Sequence, residues 1–266
     1  MHAFKGAGGH EIVYRNWAPA GAPRAGVLIV HGMGEHSGRY DHVAAFLAER
    51  GLSVWAHDQH GHGRFQGELG TVESFDYFLD DIDTMVAEAG LDRGEMPWVL
   101  IGHSMGGLIV TGYLLERSKR PDLLVLSGPA IVPILDAGDD TIDPTRLSRD
   151  PKAWESYLED PLVLRERVQE GLFARLGDGL AKIVGRADEI DVPLLLIHGE
   201  EDRLCSAEGA HGYLEQSSSK DRTYHLYPEG RHEMFNEINR AEVLERLWEW
   251  LDERLPAAAA AGGTSR

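Results

Sequence analysis

The sequence predicts an α/β fold: an open, mostly parallel central sheet with helices on both faces and a helical cap inserted between two strands. Three observations carry this prediction. Short apolar runs recur along the chain, each closed by a polar or glycine-containing turn. Segments with helical spacing alternate with those runs. One long stretch then breaks the alternation.

The runs are Val27-Leu28-Ile29-Val30 before His31-Gly32, then residues 52–56 before Asp58, and Trp98-Val99-Leu100-Ile101 before Gly102. They continue with Leu123-Leu124-Val125-Leu126 before Ser127-Gly128-Pro129 and Leu194-Leu195-Leu196-Ile197 before His198-Gly199; residues 223–227 are also strand-like. Runs this short, bounded by glycine and polar residues, fit strands buried on both faces of a parallel sheet. Between them, Phe75, Phe78, Leu79, Ile82 and Val86 recur at helical spacing, as do Leu244, Leu247, Trp248, Leu251 and Leu255. Residues 106–117 are helix-like as well. Such alternation builds an open sheet with helices on both faces. Active sites in these sheets lie beyond the C-terminal strand ends.

From residue 131 to about residue 188 no buried strand is legible. Helix-like pieces at 154–158 and 161–176 fill that stretch, so it is expected to leave the sheet as a cap and return. The expected organisation is a core at 1–130 and 189–255, a helical cap at 131–188 and a disordered tail at 256–266.

Composition narrows the function. With 42% hydrophobic and 26% charged residues among 266, wholesale disorder is excluded. The one cysteine excludes an intrachain disulfide. A net charge of −18 repels phosphate backbones and anionic lipid surfaces, so nucleic acid is not an expected partner and membrane contact is at most transient. No apolar run approaches the ~18 residues of a membrane span. The N-terminus lacks an apolar signal-peptide core, and a cytoplasmic location is expected.

Gly102-His103-Ser104-Met105-Gly106 fits G-x-S-x-G between a strand and a helix, the setting of a nucleophile elbow. Such a turn is strained and needs small neighbours, which Gly102, Gly106 and Gly107 supply. A serine hydroxyl is a weak nucleophile until a positioned base takes its proton. On a sheet of this kind the chain order is serine, acid, histidine. Glu200, Glu201 and Asp202 compete as the acid after the 194–197 strand. Asp202 is chosen, as a short carboxylate past the strand end. Among His211, His225 and His232, the last follows the turn Pro228-Glu229-Gly230 after the final strand and is the expected base. Met105 and Met33 are the expected oxyanion donors through their backbone N–H groups, Met33 sitting between Gly32 and Gly34.

These residues resemble a known family. His31-Gly32-Met33-Gly34-Glu35-His36-Ser37-Gly38-Arg39-Tyr40 resembles the HG-x-GEHSGRY block of monoacylglycerol lipases. Gly102-His103-Ser104-Met105-Gly106-Gly107 matches their GHSMGG elbow, and Asp202-Arg203-Leu204-Cys205 resembles the DRLC that carries their acid. Asp58-Gln59-His60-Gly61-His62-Gly63 resembles their D-x-x-GHG loop, and Asp160-Pro161-Leu162 a DPL element of their cap. The matches run in order from about residue 14 to residue 251. Single motifs among them occur across α/β-hydrolases; the long first block together with DRLC is far more specific.

The resemblance implies an α/β-hydrolase fold, no cofactor, and hydrolysis of a monoacylglycerol to fatty acid and glycerol. It implies Ser104, Asp202 and His232 as triad, with Met33 and Met105 as oxyanion donors. It implies Glu35, Arg39 and Tyr157 around the glycerol head; a buried ion pair that holds the oxyanion loop is an equal reading for Glu35 and Arg39. The chain departs from the family at Met33, where a small residue is common, at Arg64-Phe65 after the GHG loop, and at 233–236, which lacks a second pocket histidine. These departures bear on the substrate rather than on the reaction class. A broader carboxylesterase or lysophospholipase would use the same triad, and a non-catalytic binding protein would be expected to have lost part of it.

Ile131, Val132, Ile134, Leu135, Leu162, Val163, Leu164, Leu172 and Phe173 are candidates to line an acyl channel or to pack the cap. His57, His60 and His62 cluster near Asp58, but within the GHG loop, and no metal is expected there. Cys205 reads as a small packed residue. Asp76, Asp80, Asp81 and Asp83 read mostly as solvated helix positions.

Overall fold

The computed structural model describes residues 1–132, 143–165 and 168–257. Its centre is a sheet of eight strands: β1 (His2–Lys5), β2 (Glu11–Trp17), β3 (Ala25–Val30), β4 (Leu52–His57), β5 (Trp98–His103), β6 (Leu123–Ser127), β7 (Leu194–Gly199) and β8 (Arg222–Tyr227). Their spatial order is β1-β2-β4-β3-β5-β6-β7-β8. Only β2 runs against its neighbours; β3 to β8 are parallel. The mostly parallel sheet read from the sequence is present.

The alternation of side chains along each strand sorts the core into two faces. Val27, Ile29, Val99, Ile101, Val125, Leu195 and Ile197 face α1 (Asp41–Ala48) and α7 (Arg240–Asp252). Leu28, Val30, Leu100, Leu124, Leu126, Leu194 and Leu196 face α2 (Phe75–Ala89), α3 (Met105–Glu116), α5 (Glu170–Ile183) and α6 (Ala207–Gln216). Because both faces are covered, every residue of β3, β5 and β7 is buried. Helix α3 is buried from Met105 to Leu114, so it is apolar all round rather than amphipathic.

The connection from β6 to β7 carries α4 (Pro151–Glu159) and α5, and no strand among its described residues. Helix α4 contains the expected 154–158 piece, capped by the Asp150 side chain with Pro151 in its first turn. Among the described residues, the expected 161–176 helix starts at Glu170. Its first part is a turn instead: Asp160 Oδ1 accepts from Leu162 N at 2.9 Å, and Leu164 N donates to Gly34 O at 2.8 Å. Those amides are spent on a turn and on the loop after β3, not on a helical ladder.

Leu172 and Ile131 pack into the main core, whereas Phe173 is exposed. Val163 joins Leu147 and Tyr157 in a small separate group. Ile134 and Leu135 lie outside the described residues, as does the tail beyond Ala257. Among the described residues no helix is long and apolar enough to cross a membrane.

Candidate active site

Ser104 stands between β5 and α3 with φ 53° and ψ −119°, a strained conformation for a residue with a side chain. Close packing enforces it. A Cβ on Gly106 would lie 2.1 Å from Val30 O, and one on Gly102 would lie 2.5 Å from Gly106 O. The elbow is therefore pressed against the end of β3, and the loop after β3 lies beside the serine. A Cβ on Gly32 would sit 3.1 Å from Ser104 Cβ. Ser104 N donates to Ser127 O at 3.0 Å, which ties the turn to the end of β6.

Asp202 follows β7 and His232 follows β8. His232 Nδ1 donates to Asp202 Oδ2 at 2.8 Å. The other oxygen, Oδ1, accepts from Leu204 N at 2.8 Å and Cys205 N at 3.0 Å. Glu200 and Glu201 are exposed, so of the competing acids Asp202 alone is buried. His225 lies within β8 and His211 within α6, away from this carboxylate. Glycine at 128, with φ 48°, permits the approach: a Cβ there would be 3.2 Å from His232 Nδ1 and 3.4 Å from Asp202 Oδ2.

The electrostatics follow from this arrangement. Burial alone would raise the Asp202 carboxyl, but His232 and His198 hold it far below the usual carboxylate range. Burial alone would lower the His232 imidazole; the Asp202 carboxylate overrides it and the net shift is upward. His103, whose ring centroid is 4.8 Å from that of His232, is pushed down to about 4 by burial and then by His232. It stays neutral, donating Nδ1 to Ser127 O at 2.9 Å. Burial pushes the Cys205 thiol up, the Asp202 carboxylate adds to that, and a side-chain hydrogen bond with Ser104 opposes it. Cys205 is buried, and its amide is one of the two that hold Asp202 Oδ1.

The loop after β3 is held by Glu35. Its Oε1 accepts from Gly32 N at 2.6 Å and from Tyr40 Oη at 2.8 Å. Its Oε2 accepts from Arg39 Nη1 at 2.8 Å. Met33 N is the next amide along this loop, and Met105 N is the first of α3. Neither donates to a protein acceptor among the described residues. Arg39 also stacks over the Tyr157 ring, 5.1 Å from its centroid. Tyr157 is buried, with its hydroxyl 3.7 Å from the position of a Cβ on Gly34. All eight residues singled out from the sequence therefore gather around one end of the sheet.

Three further residues join this region. His198 Nε2 donates to Asp202 Oδ2 at 3.0 Å, so two imidazoles share one carboxylate oxygen. Glu233 receives both Arg39 Nη groups. Glu237, fully buried, accepts from Arg231 N and Arg149 N at 2.9 Å each, joining the turn before His232 to the connection that carries α4. The position of His198 at a strand end was the one available signal; the two glutamates pair across long stretches of chain and left none.

A family model described as "Serine aminopeptidase, S33" (Hydrolase_4) matches residues 21–138 and 137–239. A monoacylglycerol lipase of Mycolicibacterium smegmatis is 35% identical, over 96% of this chain and 97% of that protein. A monoglyceride lipase of Mus musculus is 32% identical, over 96% of this chain and 91% of its own length. The crystal structure of the Paleococcus ferrophilus monoacylglycerol lipase superposes with a TM-score of 0.81 at 30% identity, covering 91% of this chain and 98% of that one.

Proposed function

This chain belongs to the monoacylglycerol lipase family of α/β-hydrolases and is an ester hydrolase of lipase or esterase type, and we propose that its substrate is a monoacylglycerol, cleaved by Ser104, Asp202 and His232. The observation that carries the proposal is the buried Asp202–His232 hydrogen bond beside a strained, glycine-flanked serine. His232 takes the Ser104 proton as Oγ attacks the ester carbonyl, while Asp202 fixes the imidazole tautomer and stabilises the imidazolium. The Met33 and Met105 amides receive the oxyanion. His232 then protonates the departing glycerol oxygen. Water, activated by the same imidazole, hydrolyses the acyl-enzyme and releases the fatty acid.

Glu35 and Arg39 serve this site by holding the Gly32–Met33 loop; their engagement with each other and with Glu233 supports that role over direct contact with glycerol. The buried Tyr157 hydroxyl, near Gly34, is the group offered to the glycerol head. Contact with lipid aggregates is transient in this reading, since the net charge of −18 opposes anionic surfaces.

The test compares rates on monoacylglycerols, short p-nitrophenyl esters and lysophospholipids for the wild type and Ser104→Ala. Monoacylglycerols should have the highest kcat/KM. Ser104→Ala should lose on the order of 10⁶-fold in kcat and all labelling by a fluorophosphonate probe. Faster turnover of short esters or lysophospholipids would replace the substrate; ester hydrolysis retained in Ser104→Ala would remove the nucleophile.

A further inference from the structure

His60 was met in the sequence beside His57 and His62, but the fold gives it other company. His10 lies in the turn between β1 and β2, His60 in the loop after β4, and Glu73 just before α2. Their side-chain donor atoms all lie within 4.8 Å of one another. His60 Nε2 is already 3.2 Å from Glu73 Oε2. Donors of a tetrahedral zinc ion, each about 2.0–2.1 Å from the metal, stand roughly that far apart. The gap to His10 closes by movement of one half-buried side chain in a turn whose Gly8 and Gly9 have φ of 63° and 82°.

A second observation points to the same place. His60 is 2% exposed, yet its Nδ1 has no hydrogen-bond partner. It faces Asp81 Oδ2 at 3.8 Å, and that oxygen is also unpartnered. Asp81 is fully buried; its other oxygen accepts from Ala7 N at 2.6 Å. A buried carboxylate oxygen and a buried ring nitrogen left unpaired are costly. They make sense together when the opposite nitrogen holds a metal. A ligating imidazole donates its second N–H to a carboxylate, which fixes the tautomer and the ring. An exposed His–Glu contact would need no such carboxylate behind it.

We propose that His10, His60 and Glu73 form a zinc site, with Asp81 as the carboxylate behind His60. Two neutral imidazoles and one carboxylate are borderline donors suited to Zn²⁺ rather than to Mg²⁺ or Ca²⁺. They leave one positive charge on the ion, which the buried Asp81 carboxylate balances. Glu73 is 61% exposed along its side chain, so the fourth position opens to water. The ion would join the β1–β2 hairpin, the loop after β4 and the start of α2. That loop in turn grips the end of β3, where Gln59 N donates to His31 Nε2 at 2.9 Å. The site therefore clamps the fold and takes no part in ester cleavage.

The experiment titrates the chelator-stripped full chain with ZnCl2, by calorimetry and by thermal unfolding, beside His10→Ala and Glu73→Gln. Esterase activity of the zinc-free variants equal to wild type shows that they are folded. The wild type should take up zinc saturably, at a single site, with a rise in Tm that MgCl2 does not produce. Each variant should weaken that uptake at least about tenfold and lose the rise in Tm. No saturable uptake by the wild type, or uptake unchanged in either variant, overturns the proposal.

Discussion

Arg39 holds Glu233 with both terminal nitrogens: Nη1 donates to Oε1 at 2.6 Å and Nη2 to Oε2 at 2.7 Å. Glu233 follows His232 directly, and Arg39 also binds Glu35, which holds Gly32. One guanidinium thus joins the turn of the proposed base to the proposed oxyanion loop. Burial would lower Arg39, but Glu233 and Glu35 raise it well above its usual value, so it remains charged. Glu233→Ala leaves this buried cation with one partner and should cost roughly 3 kcal/mol. Urea unfolding measures it; a change within about 0.5 kcal/mol, as for an ordinary surface site, would refute the buried pair.

His198 acts on the proposed mechanism through Asp202. Its hydrogen bond to a charged oxygen is worth about 1.5 kcal/mol, so His198→Leu should lower kcat roughly tenfold with KM unchanged. His198→Gln, which keeps a donor of similar reach, should recover most of the loss. Equal losses in both variants would mean that His198 serves packing alone.

The activity should fall in acid with a midpoint above the ordinary histidine value of 6.5, because His232 is raised and must be neutral to accept the serine proton. Stability has the opposite dependence on this group. A raised histidine stabilises fully below its unfolded pKa, and that contribution is lost as pH rises through the folded value. Asp202, depressed, contributes above its unfolded pKa of about 3.9, and the contribution is lost as pH falls towards the folded value. A pH–rate profile and unfolding curves at several pH values check both. An acid limb centred below pH 6 contradicts the raised imidazole.

Gly106→Ala should fail for a steric reason. Its Cβ would lie 2.1 Å from Val30 O and 2.6 Å from His31 O, both backbone atoms with no freedom to turn aside. We expect a loss of about 3 kcal/mol or more, or no folded protein. Gly212→Ala, in α6 with nothing beyond its own stretch of helix within 4 Å of the new Cβ, is the control and should be neutral or slightly stabilising.

What the sequence made legible follows from burial. Strands β3, β5 and β7 have no exposed position, so their residues form unbroken apolar runs. Strand β2, Glu11–Trp17, has only Ile12 buried and mixes polar with apolar residues, so the β1–β2 hairpin gave no such run. Helix α1 is only about two turns long, too short for its apolar spacing to stand out in the sequence. Asp81 reads from the sequence as solvated like its neighbours, yet it stands three residues after Phe78 and four before Met85, on the inner side of α2. Ser104, Asp202 and His232 could be chosen because strand ends and chain order mark such positions. The pairing of Arg39 with Glu233 spans 194 residues, and only the folded chain brings those side chains together.

The connection between β6 and β7 is fastened at both sides of the proposed reaction centre. Leu164 N donates to Gly34 O at 2.8 Å beside Met33, and Glu233 N donates to Leu147 O at 2.8 Å beside His232. Mechanically, the described part of the connection is tied at two points rather than one. A displacement of the connection pulls at once on the amide that would receive the oxyanion and on the imidazole that would move the proton. In the proposed reaction, an acyl chain that displaces this connection would lose catalytic alignment as well as fit, so discrimination by size would appear in kcat as much as in KM.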